Sequence, residues 1–192
     1  GLIPVIHPSA YVHEDAVLIG DVIIGPNCYV GPAASLRGDF GRLLIGPGVN
    51  IQDTCVMHGF PGAETIIEEN GHIGHGAVVH GCLIKRNVLI GMNAVIMDEA
   101  EIGENSIVGA LSFVKAGFTV PPNSLVIGSP ARVIRELSDK DIARKKLATT
   151  EYQKLTVRCH RNMRAVAPLT ELPADRQSLP KSDILPLHNQ RH

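Results

Sequence analysis

The chain has 192 residues, 44% of them hydrophobic, which suits one principal core with an appendage. Its 18 Lys and Arg nearly cancel its 19 Asp and Glu, for a formal net charge of -1, which argues against the charge footprint of a nucleic-acid binder or a polybasic membrane patch. No apolar run approaches a membrane span and no signal-peptide pattern opens the sequence, so cytoplasmic residence is expected, with Cys28, Cys55, Cys82 and Cys159, none in CxxC spacing, as buried small residues in a reducing compartment.

Residues 1–130 carry one dominant period. Apolar residues recur every six positions at Val12, Leu18, Ile24, Val30 and Leu36, then at Ile45, Ile51 and Met57, at Ile73 and Val79, and without a break from Ile84 through Val114. Small residues such as Ala34, Cys55, Ala77 and Ala94 follow four positions later, and glycine often follows directly. A six-residue period fits neither an α-helix nor an alternating strand. It predicts an all-β solenoid, a parallel β-helix in which three hexads close one triangular coil. The 4% aromatic content agrees, since a narrow prism has little room for large rings.

The phase slips three times, which maps to loops or bulges on the outside of the coil. Leu36 to Ile45 carries three extra residues, Met57 to Ile73 carries four, and Val79 to Ile84 is one short. Arg37, His58 and His80 each follow an inward residue and lie one coil apart, so they are expected to stack on one face about 4.8 Å apart. His75 and Asp53 fall on the preceding face, also one coil apart, with Gln52 beside Asp53. His75 therefore reaches the His58–His80 pair only if another copy of the chain supplies it. A homotrimer would do this and leave a three-histidine site with an open fourth position, as in catalytic zinc centres. Across the same interface Arg37 and Asp53 could pair. His7, His13, His72, His160, His188 and His192 are out of this register and read as solvated or locally bonded.

Residues 131–166 are read as a C-terminal helical segment, with Ser138 and Asp141 as a capping-box start and Ile142, Leu147, Tyr152 and Leu155 lying along the prism. Residues 167–192, rich in Pro and polar residues without a period, are read as a flexible tail.

The stretches SLRGDFGR, NIQDTCVMHGFP and GHIGHGAVVHGC resemble the γ-class carbonic anhydrases and their relatives, and GMNAVIMD, IGENSIVGA and IGSPARVIREL extend the likeness over about residues 1–160. The likeness is nearest to the phenylacetate-degradation branch of that group and extends to its carnitine-operon branch. The resemblance implies a homotrimer of left-handed hexapeptide-repeat β-helices with one Zn2+, or Fe2+ or Co2+, at each subunit interface. His58 and His80 of one chain and His75 of the next would hold the metal. By the same resemblance Arg37 and Asp53 pair across the interface, and Asp39 and Gln52 organise the site and its water. The implied chemistry is a hydroxide, generated at the metal, attacking an electrophilic carbon.

CO2 hydration is the reaction this residue set supports best. Hydrolysis of a CoA thioester from aromatic catabolism follows closely, and a hexapeptide-repeat acyltransferase or a non-catalytic metal-binding scaffold is the third reading. Phe40 stands where the best-studied carbonic anhydrases of the class carry an acidic residue, and only the loop carboxylates Glu64, Glu68 and Glu69 are placed to replace it as proton carriers.

Overall fold

A hexad can form only two or three residues of extended backbone before it must turn, so the chain advances as short flat strands separated by tight corners. The computed structural model, which describes residues 1–179, shows a left-handed parallel β-helix of about seven turns with one C-terminal helix. Coils stack in register: Leu89 pairs with His72 below and Ile107 above, and Ile90 with Ile73 and Val108. From Ile24 to Ile102 the inward apolar residues of the six-residue series are at most 1% exposed. Each such side chain contributes roughly 1.5–3 kcal/mol by leaving water. Val12 and Leu18 are only partly buried because they sit at the open end, where no earlier coil covers them.

One face carries the strands Val56–His58, Val78–His80, Val95–Ile96 and Phe113–Val114. A second is the eight-stranded sheet running from Tyr11–Val12 through Asn50–Ile51 and His72–Ile73 to Ala131–Glu136. The third carries Thr65–Ile67, Leu83–Ile84, Glu101–Ile102 and Thr119–Val120. The strands Val17–Ile24 and Ser35–Ile45 run around a corner and link the first face to the third. Their register shows the expected insertion directly: Gly38 pairs with Gly20 and Leu43 with Val22, so residues 39–42 face one residue, Asp21, and bulge outward.

At one corner Asn87, Asn105 and Asn123, one coil apart, take positive φ of 55 to 59°. Asparagine tolerates that conformation because its short polar side chain bonds locally. Here the amides form a ladder, Asn87 Nδ2 donating to Asn105 Oδ1 at 2.7 Å and Asn105 Nδ2 to Asn123 Oδ1 at 3.0 Å.

The segment read as helical from residue 131 begins differently. Ala131–Glu136 is a strand, antiparallel to Ser124–Gly128, and it closes the sheet where the hexads stop. The Gly128-Ser129-Pro130 turn reverses the chain there, and Val133 and Ile134 favour extended backbone. The helix is one continuous element, Asp139–Asn162, opened by the expected capping box: Ser138 Oγ accepts from Asp141 N, and the Asp141 carboxylate accepts from Ser138 N. Of the residues expected along the prism, Tyr152 packs on Tyr29 and His72, and Ile142 and Leu155 are half-buried, but the fully buried positions are polar or small. Lys145, Thr149, Thr156 and Cys159 face inward with Tyr152 between them, while Leu147 is exposed. The surface it covers carries Asn50 and His72, so the helix meets it with polar groups. Residues 164–179 are exposed and lack regular structure; the remainder of the expected tail, residues 180–192, lies outside the described residues, as do His188 and His192.

Candidate metal centre

The coil register places the two histidines as their spacing requires. His80 pairs with His58 across adjacent parallel strands. His58 Nδ1 and His80 Nε2 converge to 3.3 Å. Two nitrogens each 2.0–2.1 Å from one tetrahedral zinc would stand about 3.3–3.4 Å apart, so the pair already has the spacing of two ligands of a single ion.

The other ring nitrogen of each histidine is held by a carboxylate. His58 Nε2 lies 3.1 Å from Asp39 Oδ1, and His80 Nδ1 is held by the Asp98 carboxylate. His75 Nδ1 lies 2.6 Å from Asp53 Oδ1, which leaves its Nε2 uncommitted. Carboxylates in this position fix the tautomer and aim of a metal-binding imidazole. Asp98 is the member that sequence reasoning missed. It stands two residues after inward Ile96, one coil beyond His80, so the six-residue count could have located it. Gly81 makes room for it: its φ is +54°, and a Cβ there would collide with Asp98 Oδ1.

Asp39 reaches His58 because it lies in the bulge of residues 39–42. Its other oxygen accepts from Arg37 Nε and Nη2 at 3.1 and 3.0 Å. Although desolvation works against the charge, Arg37, a backbone N–H and His58 together hold the Asp39 carboxyl below its usual range. Within one chain Arg37 is thus bound to Asp39, and Asp53 to His75, rather than to each other.

The carboxylates expected to replace a proton carrier are engaged or turned elsewhere. Glu64 pairs with Arg42, which also binds Asp21. Glu68 accepts from Arg86 N, and Glu69 lines a cleft of about 510 Å³ beside the C-terminal helix. Against the histidine pair stand two aromatic rings instead: Phe40 is 5.0 Å from His58 and Phe60 5.5 Å from His80, both more than half exposed.

His75 lies around the corner, after the strand His72–Ile73. Among the described residues, no three of His, Cys, Asp and Glu in one chain gather around a common point. Gln52 is buried, 2% exposed, its Nε2 directed at Asn50 Oδ1 (2.9 Å) and His72 Nε2 (2.8 Å) and its Oε1 accepting from His75 N at 3.3 Å. His72, set aside in the sequence, is buried beside it. Desolvation, helped by the Lys145 charge and by His75, pushes its imidazole down to about 3. Lys145 donates to Asn70 O at 2.5 Å and to Asn87 Oδ1 at 2.8 Å, and burial beside Lys146 pushes its amine down to about 7. The four cysteines are all buried and free.

Residues 81–116 match the family model described as bacterial transferase hexapeptide (six repeats). The carnitine operon protein CaiE of Proteus sp. (strain LE138) is 57% identical over 93% of this chain and 91% of its own length. That of Escherichia coli (strain K12) is 56% identical over 97% and 95%. Among solved structures, a candidate acetyltransferase of Bacillus cereus, the product of the BC4754 gene, superposes with a TM-score of 0.79 at 38% identity, over 80% of this chain and 89% of that one. No described helix is long and apolar enough to cross a membrane. With the hexad register, the fold and identity over nearly the whole chain in agreement, the chain belongs to the CaiE family of hexapeptide-repeat proteins, a γ-carbonic-anhydrase-like group.

Proposed function

We propose that the chain forms a metal-dependent enzyme of the γ-carbonic-anhydrase type, assembled as a homotrimer, with His58 and His80 of one copy and His75 of the next as ligands. The observation that carries this reading is the three carboxylate–histidine pairs, Asp39–His58, Asp53–His75 and Asp98–His80, each leaving one imidazole nitrogen for a cation. Zn2+ suits a set of neutral nitrogens at this spacing, and Fe2+ or Co2+ is compatible with it.

A second copy has an apolar stripe to cover. Val56, Val78, Val95 and Phe113 stack outward in register beside His58 and His80, with Val17 beyond Ser35 in the same column, and Val17, Val56 and Phe113 are exposed. Such a patch marks an interaction surface. When bound, the metal would lower the pKa of water toward neutrality and supply a nucleophile.

The chain's own groups do the rest. Asp98 and Asp39 hold the histidine rings in place, and Arg37 keeps Asp39 charged for that task. Phe40 and Phe60 present an apolar wall beside the histidine pair to whatever enters.

CO2 hydration is the reaction this ligand set suits. The two phenylalanines favour a second reading, hydrolysis of an acyl or aryl CoA thioester, because the candidate carboxylates Glu64, Glu68 and Glu69 are directed away from the histidine pair and apolar rings stand there instead. The acetyltransferase description of the Bacillus cereus neighbour keeps an acyltransferase as the third reading. A cytoplasmic setting accords with four free, buried cysteines.

The test runs stopped-flow CO2 hydration and thiol release from acyl and aryl CoA thioesters on one zinc-loaded preparation, with His80→Ala alongside. Turnover of either substrate that His80→Ala abolishes supports the proposal. Turnover of neither, or equal rates in the variant, overturns it.

A further inference from the structure

Between the coil and the C-terminal helix lies a polar cluster that the ligand histidines do not include. His72 is flanked by Gln52 and Asn50 on the sheet and by Thr149 and Tyr152 on the helix, the Tyr152 ring edge-on at 5.3 Å. A glutamine amide has two N–H donors and one carbonyl oxygen. Gln52 spends its nitrogen on Asn50 Oδ1 and on His72 Nε2 at 2.8 Å, so only the oxygen remains for the His75 main chain, where it accepts the N–H at 3.3 Å. If the amide turned over, its nitrogen would face the His75 N–H, donor against donor. Asn50 Oδ1 and His72 Nε2, both as acceptors, hold the amide nitrogen on their side and so oppose that orientation. With Nε2 accepting, the ring proton sits on Nδ1, within 3.5 Å of Thr149 Oγ1 on the helix, and the Asn50 amide nitrogen 3.2 Å from Nδ1 is then a contact without a hydrogen bond.

We propose that His72 is a positioning residue for the metal centre: clamped by the helix, it sets the Gln52 amide together with Asn50, and through the Gln52 carbonyl it fixes the main chain that aims His75. The inference rests on His75 being a metal ligand. It goes beyond that reading by making the C-terminal helix part of the frame of the site. Disturbing a group that orients a metal ligand typically weakens binding by about 10- to 100-fold.

The experiment measures zinc dissociation constants by chelator competition on the full chain, together with far-UV CD and molecular mass in solution. His72→Ala should weaken zinc by about 10- to 100-fold with the fold and assembly retained. His72→Gln, whose Oε1 can accept from Gln52 where Nε2 did, should restore affinity to within about threefold of the wild type. Gln52→Met, similar in shape but without hydrogen bonds, should weaken zinc as much as His72→Ala, and the double variant should be no weaker than either single one. It also decides the matter if His72→Ala does not fold. A role in helix packing alone would lower stability without moving zinc affinity. Wild-type affinity in Gln52→Met or in a folded His72→Ala, with zinc bound normally by the parent, overturns this inference and leaves the metal reading standing. A parent protein that binds no zinc overturns both.

Discussion

The coils above Gly81 and those between Ser35 and His80 share one core but differ in what they carry outside. Above, strand pairs keep a spacing of 18 residues, as in Leu89 with Ile107 and Ile107 with Leu125, and the outward residues are aliphatic side chains, corner amides and ion pairs such as Lys85–Glu101 and Arg86–Glu104. Below, Leu36 pairs with Met57 and Met57 with Val79, spacings of 21 and 22, and the surplus residues carry Asp39, Phe40 and Phe60 to the two histidines. Extra residues leave the inward series intact because a loop's closing entropy grows slowly with its length. The regular coils supply rigidity, and departures from regularity are where chemistry can be attached. Asp98 joins the two regions, since it belongs to the regular part and holds His80.

That division can be broken experimentally, and the largest effect expected is at the ligand set. His75→Ala should reduce bound metal from about one per chain to near zero, while the metal-free protein changes in stability by no more than about 0.5 kcal/mol, the usual scale for a surface substitution. Metal analysis with thermal CD reads both, and a fully loaded variant would refute the composite site. Next comes the core. Ile90→Ala should cost about 2–5 kcal/mol in urea unfolding. Two residues added within the loop 59–64 should cost less than about 0.6 kcal/mol. Equal costs would remove the distinction between the regions.

Acidification tests the seam between coil and helix. The folded-state pKa of His72 is depressed from 6.5 to about 3, so the unfolded chain binds more protons between those values and stability falls as pH drops through that window. The loss should reach roughly 3 kcal/mol by about pH 4.5 and be absent in His72→Gln, which cannot titrate. A variant as acid-sensitive as the parent would assign the effect to other groups. Lys145 acts in the same sense at higher pH: its amine is depressed from 10.5 to about 7, so its burial costs least above that window and stability rises with pH across it. A smaller effect than that of His72 is expected at the helix start, where Ser138→Ala should cost about 1 kcal/mol by loss of the capping box.

The six-residue count made the inward series from Ile24 onward readable, along with the insertion at residues 39–42 and the stacking of His58 on His80. On the helix, hydrophobicity placed Tyr152, Ile142 and Leu155 against the coil but misjudged Leu147. Leu147 was expected against the prism on hydrophobicity alone, yet Lys145 and Thr149 occupy that place because the surface beneath them is polar. The count also passed over His72, whose position on its strand is outward like many others, and which is buried only because a helix more than 65 residues later folds over it. Arg37 shows the same limit: its column was legible, whereas its pairing with Asp39 depends on how the bulge bends.

What the sequence determined alone is whatever obeys a short period: the solenoid, its inward residues, and which outward residues share a column, since a strict repeat turns position in the chain into position in space. Tertiary structure alone decided which carboxylate holds which imidazole, what lies under the helix, and which way Gln52 turns. Those contacts join segments of unrelated phase, and each is settled by competition among donors and acceptors that meet only once the chain has folded.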